Sequence, residues 1–327
     1  SRPCALFHLL RFCNTMTKLP RPIILTVAVL CVLPILFNGV GISFATVSPA
    51  LDLAEFSTLD PQAVTDELHY ALAGSFTHTI LEWSAFCAAI FTVVLAFSYY
   101  RIQRDVTTPI IGVALLCAGC MDAFHTLAAD RLIEAVAPNQ NLIPFTWALC
   151  RLANVVLTLM GVSLFFFTQP KRWKNTSLIL IGITFVFALI SYSIIHVCAT
   201  QEVLPQTQFP GAIITRPWDV LPLILFALAG LFIYPRFYQQ YPSIFSHSLI
   251  ISTLPNVATQ LHMSFGSTAL FDNHSNIAHA LKIVSYLVPL TGLVLNYNQA
   301  HYEMQVVNQK LELEVSERMF GNFGQGP

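Results

Sequence analysis

The chain has 327 residues, 55% of them hydrophobic and only 10% charged, with a formal net charge of −1 and a mean hydropathy of +0.64. A soluble domain carries about 25% charged residues, so there is too little polar material here to cover a water-exposed fold, and no broad basic face offers itself to nucleic acid. The eight cysteines lie within apolar runs or singly, with Cys4 and Cys13 before the first run and Cys198 at the end of another, which excludes the paired-loop pattern of a secreted disulfide scaffold.

Long apolar runs separated by short polar connections are the pattern of an all-α, polytopic membrane protein. Residues 1–22 form a cytoplasmic N-terminal segment with Arg2, Arg11, Lys18 and Arg21. Met16 followed by TKLPRP reads as a natural start, with residues 1–15 an upstream extension. The first span, 23–46, outlasts the roughly 7–15 apolar residues of a signal peptide and is expected to kink near Pro34. An external acidic loop, 47–75, carries Asp52, Glu55, Asp60, Asp66 and Glu67, and within it LDLAEF and VTDELHYAL are predicted to form short surface helices.

Seven further spans are predicted at 76–100, 108–128, 145–168, 177–198, 218–238, 243–264 and 277–299, making eight within a membrane domain of residues 23–299. With the N-terminus inside, 12 of the 16 Lys and Arg residues fall in cytoplasmic segments. Arg131 and Arg216 fall outside, while Arg151 and Lys282 lie in spans. That asymmetry supports eight spans with both termini cytoplasmic. Trp173 and Trp218 suit interfacial anchors. A cytoplasmic linker helix, 300–319, follows, in which Met304, Val307 and Leu311 have the 3-then-4 spacing of a coiled-coil seam. Residues 320–327 are expected to be a flexible end. The sequence has no internal repeat, P-loop, dinucleotide fingerprint or HExxH.

Chemistry-bearing residues gather at one side once the spans are oriented. His78, Glu82, Asp122, His125, Trp147, Arg151, His196, His262, His279 and Lys282 all fall toward the external face. His78 and Glu82 are four apart, while Asp122 and His125, like His279 and Lys282, are three apart, so each pair shares a helix face. Ionisable groups within a membrane span are costly and face partners or a cavity. Two readings compete. In one, Glu82 and Asp122 offset Arg151 and Lys282 in a salt-bridge network that locks the bundle. In the other, the residues form a ligand chamber. A histidine and carboxylate set suits zinc, copper or iron, with His78, Glu82, His125 and His279 as ligands and His262 as a further candidate. The two basic residues also admit an anion or small polar organic ligand, and Lys282 counts against a metal. Cys117 and Cys120 are read as packing residues, and Gly112, Ala118 and Gly119 as close helix contacts. His8, His69, His247, His274 and His301 are read as isolated.

The same segments carry a family likeness. FTHTILEWSAF, MDAFHTLAAD, TWALCRLAN and NIAHALKIVSYLVPL, in this order, resemble the bacterial membrane-associated sensor domains called MASE, most closely the third type. The matching elements fall on His78, Thr79 and Glu82, then Asp122, His125 and Thr126, then Trp147 and Arg151, then His279 and Lys282. Ala278 stands where the family has a glycine, and AADRL stands where Gly-Met often follows. The resemblance implies a sensory input module ahead of a histidine kinase or diguanylate cyclase, with no enzyme activity in this chain. The partners expected are the lipid bilayer of a bacterial inner membrane, a small ligand or metal ion from the periplasm, and a second copy through the C-terminal helix. The rival functions are a transporter or channel, an intramembrane metal- or haem-dependent redox protein, and a structural anchor.

Overall fold

The computed structural model describes residues 16–46, 60–168 and 175–323, with side chains through 316. It contains eight helices and no strand among these residues: α1 (Arg21–Gly39), α2 (Pro61–Gln103), α3 (Thr107–Ala129), α4 (Asn139–Phe167), α5 (Thr176–Thr200), α6 (Pro217–Gln240), α7 (Ile244–Gly266) and α8 (Asn273–Phe323). The expectations for residues 1–15, the helix at 51–56, Trp173 and residues 324–327 lie outside the described residues.

Seven of these helices are long and apolar enough to cross a membrane; α7 is the eighth and is excluded by its polarity. It is 23 residues long, but its Ser248, Ser252, Asn256, Thr259, Gln260 and Ser264 are buried inside the bundle. A helix surrounded by other helices has no need of apolar residues on every face. α5 is the opposite case, with only 17% of its apolar window buried.

Helix ends follow local chemistry. Asp60 caps α2 by accepting from the amides of Gln62 and Ala63, both at 2.9 Å, and Arg104, in the left-handed region at φ 57°, closes it. α2 is therefore 43 residues long, and VTDELHYAL forms its first turns. The predicted loop 47–75 is corrected accordingly: a capped start followed by good helix formers carries the helix outward from residue 61. The first span is shorter than expected. α1 ends at Gly39, Gly41 takes φ +83°, and residues 42–46 cross the start of α8, where the Asn276 side chain donates to the Phe44 carbonyl at 2.7 Å. α8 runs unbroken for 51 residues through the proposed linker.

α3 is the centre of the bundle, with 83% of its apolar window buried, and it packs on α2, α4 and α5. A Cβ at Gly112 would stand 2.9 Å from that of Ala96, and one at Gly119 would stand 2.7 Å from that of Ala89. These glycines let α2 and α3 approach closely, as the spacing predicts. α8 packs on α7 and α2, so α2, α3, α4, α7 and α8 enclose one interior.

Candidate functional site

Helical spacing delivers the polar residues to that interior. His78 and Glu82 from α2, Asp122 and His125 from α3, and His279 and Lys282 from α8 are each at most 3% exposed. The Lys282 ammonium donates to Glu82 Oε2 and lies 3.2 Å from Asp122 Oδ1. It also sits 4.7 Å from the centre of the Trp147 ring. The Tyr286 hydroxyl donates to Asp122 Oδ2 at 2.8 Å and accepts from Asn154 Nδ2 at 2.8 Å. One cation thus joins carboxylates from two other helices, and the second carboxylate is tied to α4. A buried charge persists only with such partners.

The histidines fill the space beside this bridge. Thr146 sends its hydroxyl hydrogen to the Leu142 carbonyl at 2.6 Å, so its oxygen accepts from His125 Nδ1–H, also at 2.6 Å. His279 Nδ1–H donates to the Ser275 carbonyl at 2.6 Å. A neutral imidazole carries one hydrogen, so these bonds leave Nε2 of both rings as bare acceptors. His125 Nε2 accepts from His78 Nε2–H at 3.1 Å, which leaves the buried His78 Nδ1 without a hydrogen-bond partner. His279 Nε2 lies 3.1 Å from Glu82 Oε1, and neither of those atoms makes a hydrogen bond. The four ligand atoms of His78, Glu82, His125 and His279 all lie within 4.8 Å of one another. Beside them a cavity of about 10 Å³, lined by His78, His125, Trp147, Arg216, Phe271 and His279, has room for one water-sized species.

A second polar cluster adjoins the first through Trp147 and through Arg216, which lines the same small cavity as the histidines. The indole Nε1–H donates to Asp219 Oδ1 at 3.0 Å, and Arg216 Nε lies 2.9 Å from Asp219 Oδ2. Gln260 Nε2 donates to the Asp219 carbonyl at 3.2 Å, and Arg216 Nη2 donates to the Pro144 carbonyl at 3.0 Å. Arg151 is fully buried, donates to Asn256 Oδ1 and stands 4.9 Å from the Phe226 ring centre.

Most of the expected residues converge here, with corrections. Arg151 makes no ion pair among the described residues; its partner is an α7 amide, because the two nearby carboxylates are committed to Lys282. His262 is outside the cluster. It is half-buried and pairs with His274, Nδ1 to Nδ1 at 2.9 Å, so His274 is not isolated either. Arg216, expected in an external segment, is buried against Asp219. His247 accepts from the Leu19 amide at 3.3 Å, His69 and His301 lie against Phe76 and Tyr297, and His196 stacks on Tyr192, away from the cluster. Cys117 is buried and Cys120 exposed, away from the ligand face. Neither the small cavity beside the histidines nor a larger one among the described residues supports the haem reading. The larger cavity of about 480 Å³ between α1, α2 and α8 is lined by residues such as Leu33, Phe37, Leu81 and Val284, with no histidine, cysteine or methionine to hold an iron.

The sequence reading missed Tyr286, Asn154, Asn256, Asp219 and Thr146. Two had a signal: Tyr286 is four residues after Lys282, and Asn154 is three after Arg151, so each shares a face with a residue already singled out.

Comparison with protein-family models matches the membrane-associated sensor domain MASE3 over residues 73–297. Neither curated proteins nor solved structures give a match. The matched region runs from just before His78 to beyond Tyr286, and so contains the whole cluster. It also covers more than half of the chain, and the chain belongs to the MASE3 family of membrane-associated sensor domains.

Proposed function

We propose that this sensor domain is the input module of a bacterial signalling protein of the histidine kinase or diguanylate cyclase kind. It lies in the inner membrane with eight spans, α7 included, and both termini cytoplasmic. A small ligand from the periplasm enters the chamber between α2, α3, α4, α7 and α8. The ligand favours one packing of α8 over another, and that differential affinity shifts the population.

The observation that carries this reading is the continuity of α8. The helix places His279, Lys282 and Tyr286 in the chamber and continues without a break to Phe323. Met304, Val307 and Leu311 on its distal part are 41%, 54% and 54% exposed, an unpartnered seam suited to a second copy. A change in the bonds of Lys282 therefore acts on the same continuous helix that carries the proposed dimer seam. The cavity beside the histidines, about 10 Å³, has room for only one water-sized species, which supports binding of a small ligand over catalysis.

The test is signalling output from the full-length protein carrying His279→Ala or Lys282→Met. Output altered several-fold from wild type in at least one variant is the expected result. Wild-type output from both variants, inserted in the membrane at normal levels, would remove the chamber from the signalling path.

A further inference from the structure

Resting on the sensory reading above, we infer that the chamber's ligand is a divalent transition-metal ion, held by Nε2 of His78, His125 and His279 and by Oε1 of Glu82. Three independent features of the site point to an ion.

The first is spacing. Ligand atoms about 2.0–2.1 Å from a tetrahedral ion stand about 3.3 Å apart. The observed separations are 3.1 Å for His78–His125, 3.1 Å for His279–Glu82 and 3.9 Å for His78–Glu82, and the other three are no more than 4.8 Å, so an ion draws the set together and shifts the His78 hydrogen from Nε2 to Nδ1. The second is lone-pair direction. His279 Nε2 and Glu82 Oε1 are buried acceptors facing each other with no hydrogen between them. Two such acceptors repel, and a cation between them turns that repulsion into two bonds. The third is support behind the ligands. His125 and His279 each donate their other ring hydrogen to an oxygen, Thr146 Oγ1 and Ser275 O, the arrangement that fixes the metal-binding tautomer and ring direction. Three imidazoles and one carboxylate suit zinc, iron(II) or copper(II) over magnesium or calcium.

Lys282 also has a part in this site. Its ammonium occupies Glu82 Oε2 while the ion takes Oε1, so the two cations compete for one carboxylate. Lys282 retains Asp122 as a second partner, 3.2 Å away on α3. Ion binding thus weakens the Lys282–Glu82 bond, leaves Lys282 on Asp122, and puts in place of the lost link a bridge from His279 on α8 to His78 and Glu82 on α2. This exchange gives the ion a differential hold on two packings of α8.

The experiment is titration of the purified, metal-stripped chain in detergent with Co²⁺, followed by visible d–d absorption and by competition with Zn²⁺. One ion per chain with the spectrum of a tetrahedral nitrogen–oxygen site is expected. Glu82→Gln weakens the affinity at least about 100-fold, and Thr146→Val, which leaves all four ligands in place, weakens it about 10–100-fold. Binding that is absent, or equally tight in wild type, Glu82→Gln and Thr146→Val, overturns the assignment. The sensory reading stands or falls separately. Absence of ion binding combined with altered output from His279→Ala or Lys282→Met would sink the metal and keep the sensor. One bound ion with no effect on the output of the full-length protein would leave the metal site and sink the sensor.

Discussion

Two buried charge clusters meet at Trp147 and at the small cavity that Arg216 shares with the histidines, and they are built differently. On one side Asp219 and Arg216 are three residues apart in sequence, face each other at 2.9 Å, and are held further by Trp147 and Gln260. On the other side Lys282 is shared between Glu82 and Asp122, each from a different helix. The Arg216–Asp219 pair is local, so no rigid movement of one helix against another can exchange its partners. The Lys282 bridge depends on the relative positions of α2, α3 and α8, and it borders acceptors that have no donor. The first arrangement clamps an end of the bundle, and the second can change its partners. Burial alone does not separate them, since the carboxylates and cations of both are nearly inaccessible.

The largest expected effect tests the clamp. Asp219→Asn keeps the shape of the side chain and removes its charge, leaving Arg216 buried beside a neutral amide. Breaking a buried pair in this way costs about 3–5 kcal/mol. Thermal unfolding in detergent should therefore fall sharply, while Co²⁺ affinity in the folded fraction stays at the wild-type value. An ion affinity that drops together with stability would mean that the clusters act as one, and the comparison would collapse.

How much of this was visible in the sequence depends on what each residue contacts. The long helices are legible because apolar length is a local property. The pairs His78/Glu82, Asp122/His125 and His279/Lys282 were legible because helical spacing puts each on one face, and an ionisable residue in a span is conspicuous. The wiring between helices was not legible. Lys282 sits with Glu82, 200 positions away, while Arg151 finds an amide on α7. The choice between those two cations is set by the rotation of five helices about one another, which no local pattern records. At the outer end of α2 the helical pattern of VTDELHYAL is legible, but its continuity with the span is not, because the change from polar to apolar residues near 75 resembles a boundary. His262 was grouped with the ligands by depth alone, and depth says nothing about which neighbour a ring will meet.

An intermediate effect sharpens the description of the exchangeable side. Tyr286→Phe removes the donor to Asp122 Oδ2 and the acceptor of Asn154 Nδ2 while preserving the ring. A hydrogen bond to a charged group contributes about 1.5–3 kcal/mol, so stability should fall by that amount, less than for Asp219→Asn. Because Asp122 is then free to hold Lys282 more strongly, Glu82 is released toward the ion, and Co²⁺ binds this variant more tightly than wild type. Weaker binding in Tyr286→Phe would show that Lys282 and the ion do not compete.

The smallest expected effect concerns the pair His262 and His274, which is near the chamber in sequence logic and separate from it in the structure. Their rings meet at 2.9 Å through Nδ1, and both residues are only partly buried. A neutral hydrogen bond of this kind is worth about 0.5–1.5 kcal/mol, and partial solvent access puts His262→Ala at the low end. The His274 ring is wedged against Gly266, where a Cβ would lie 2.4 Å from it, so the end of α7 keeps its packing after the substitution. Co²⁺ affinity should be unchanged, because the four proposed ligands and the Thr146 and Ser275 contacts behind them are untouched. A loss comparable to that of Thr146→Val would instead place His262 within the ion's reach and make the ligand set larger than four. The boundary between the partner-exchanging interior and its surroundings would then have to be moved outward to include the end of α7.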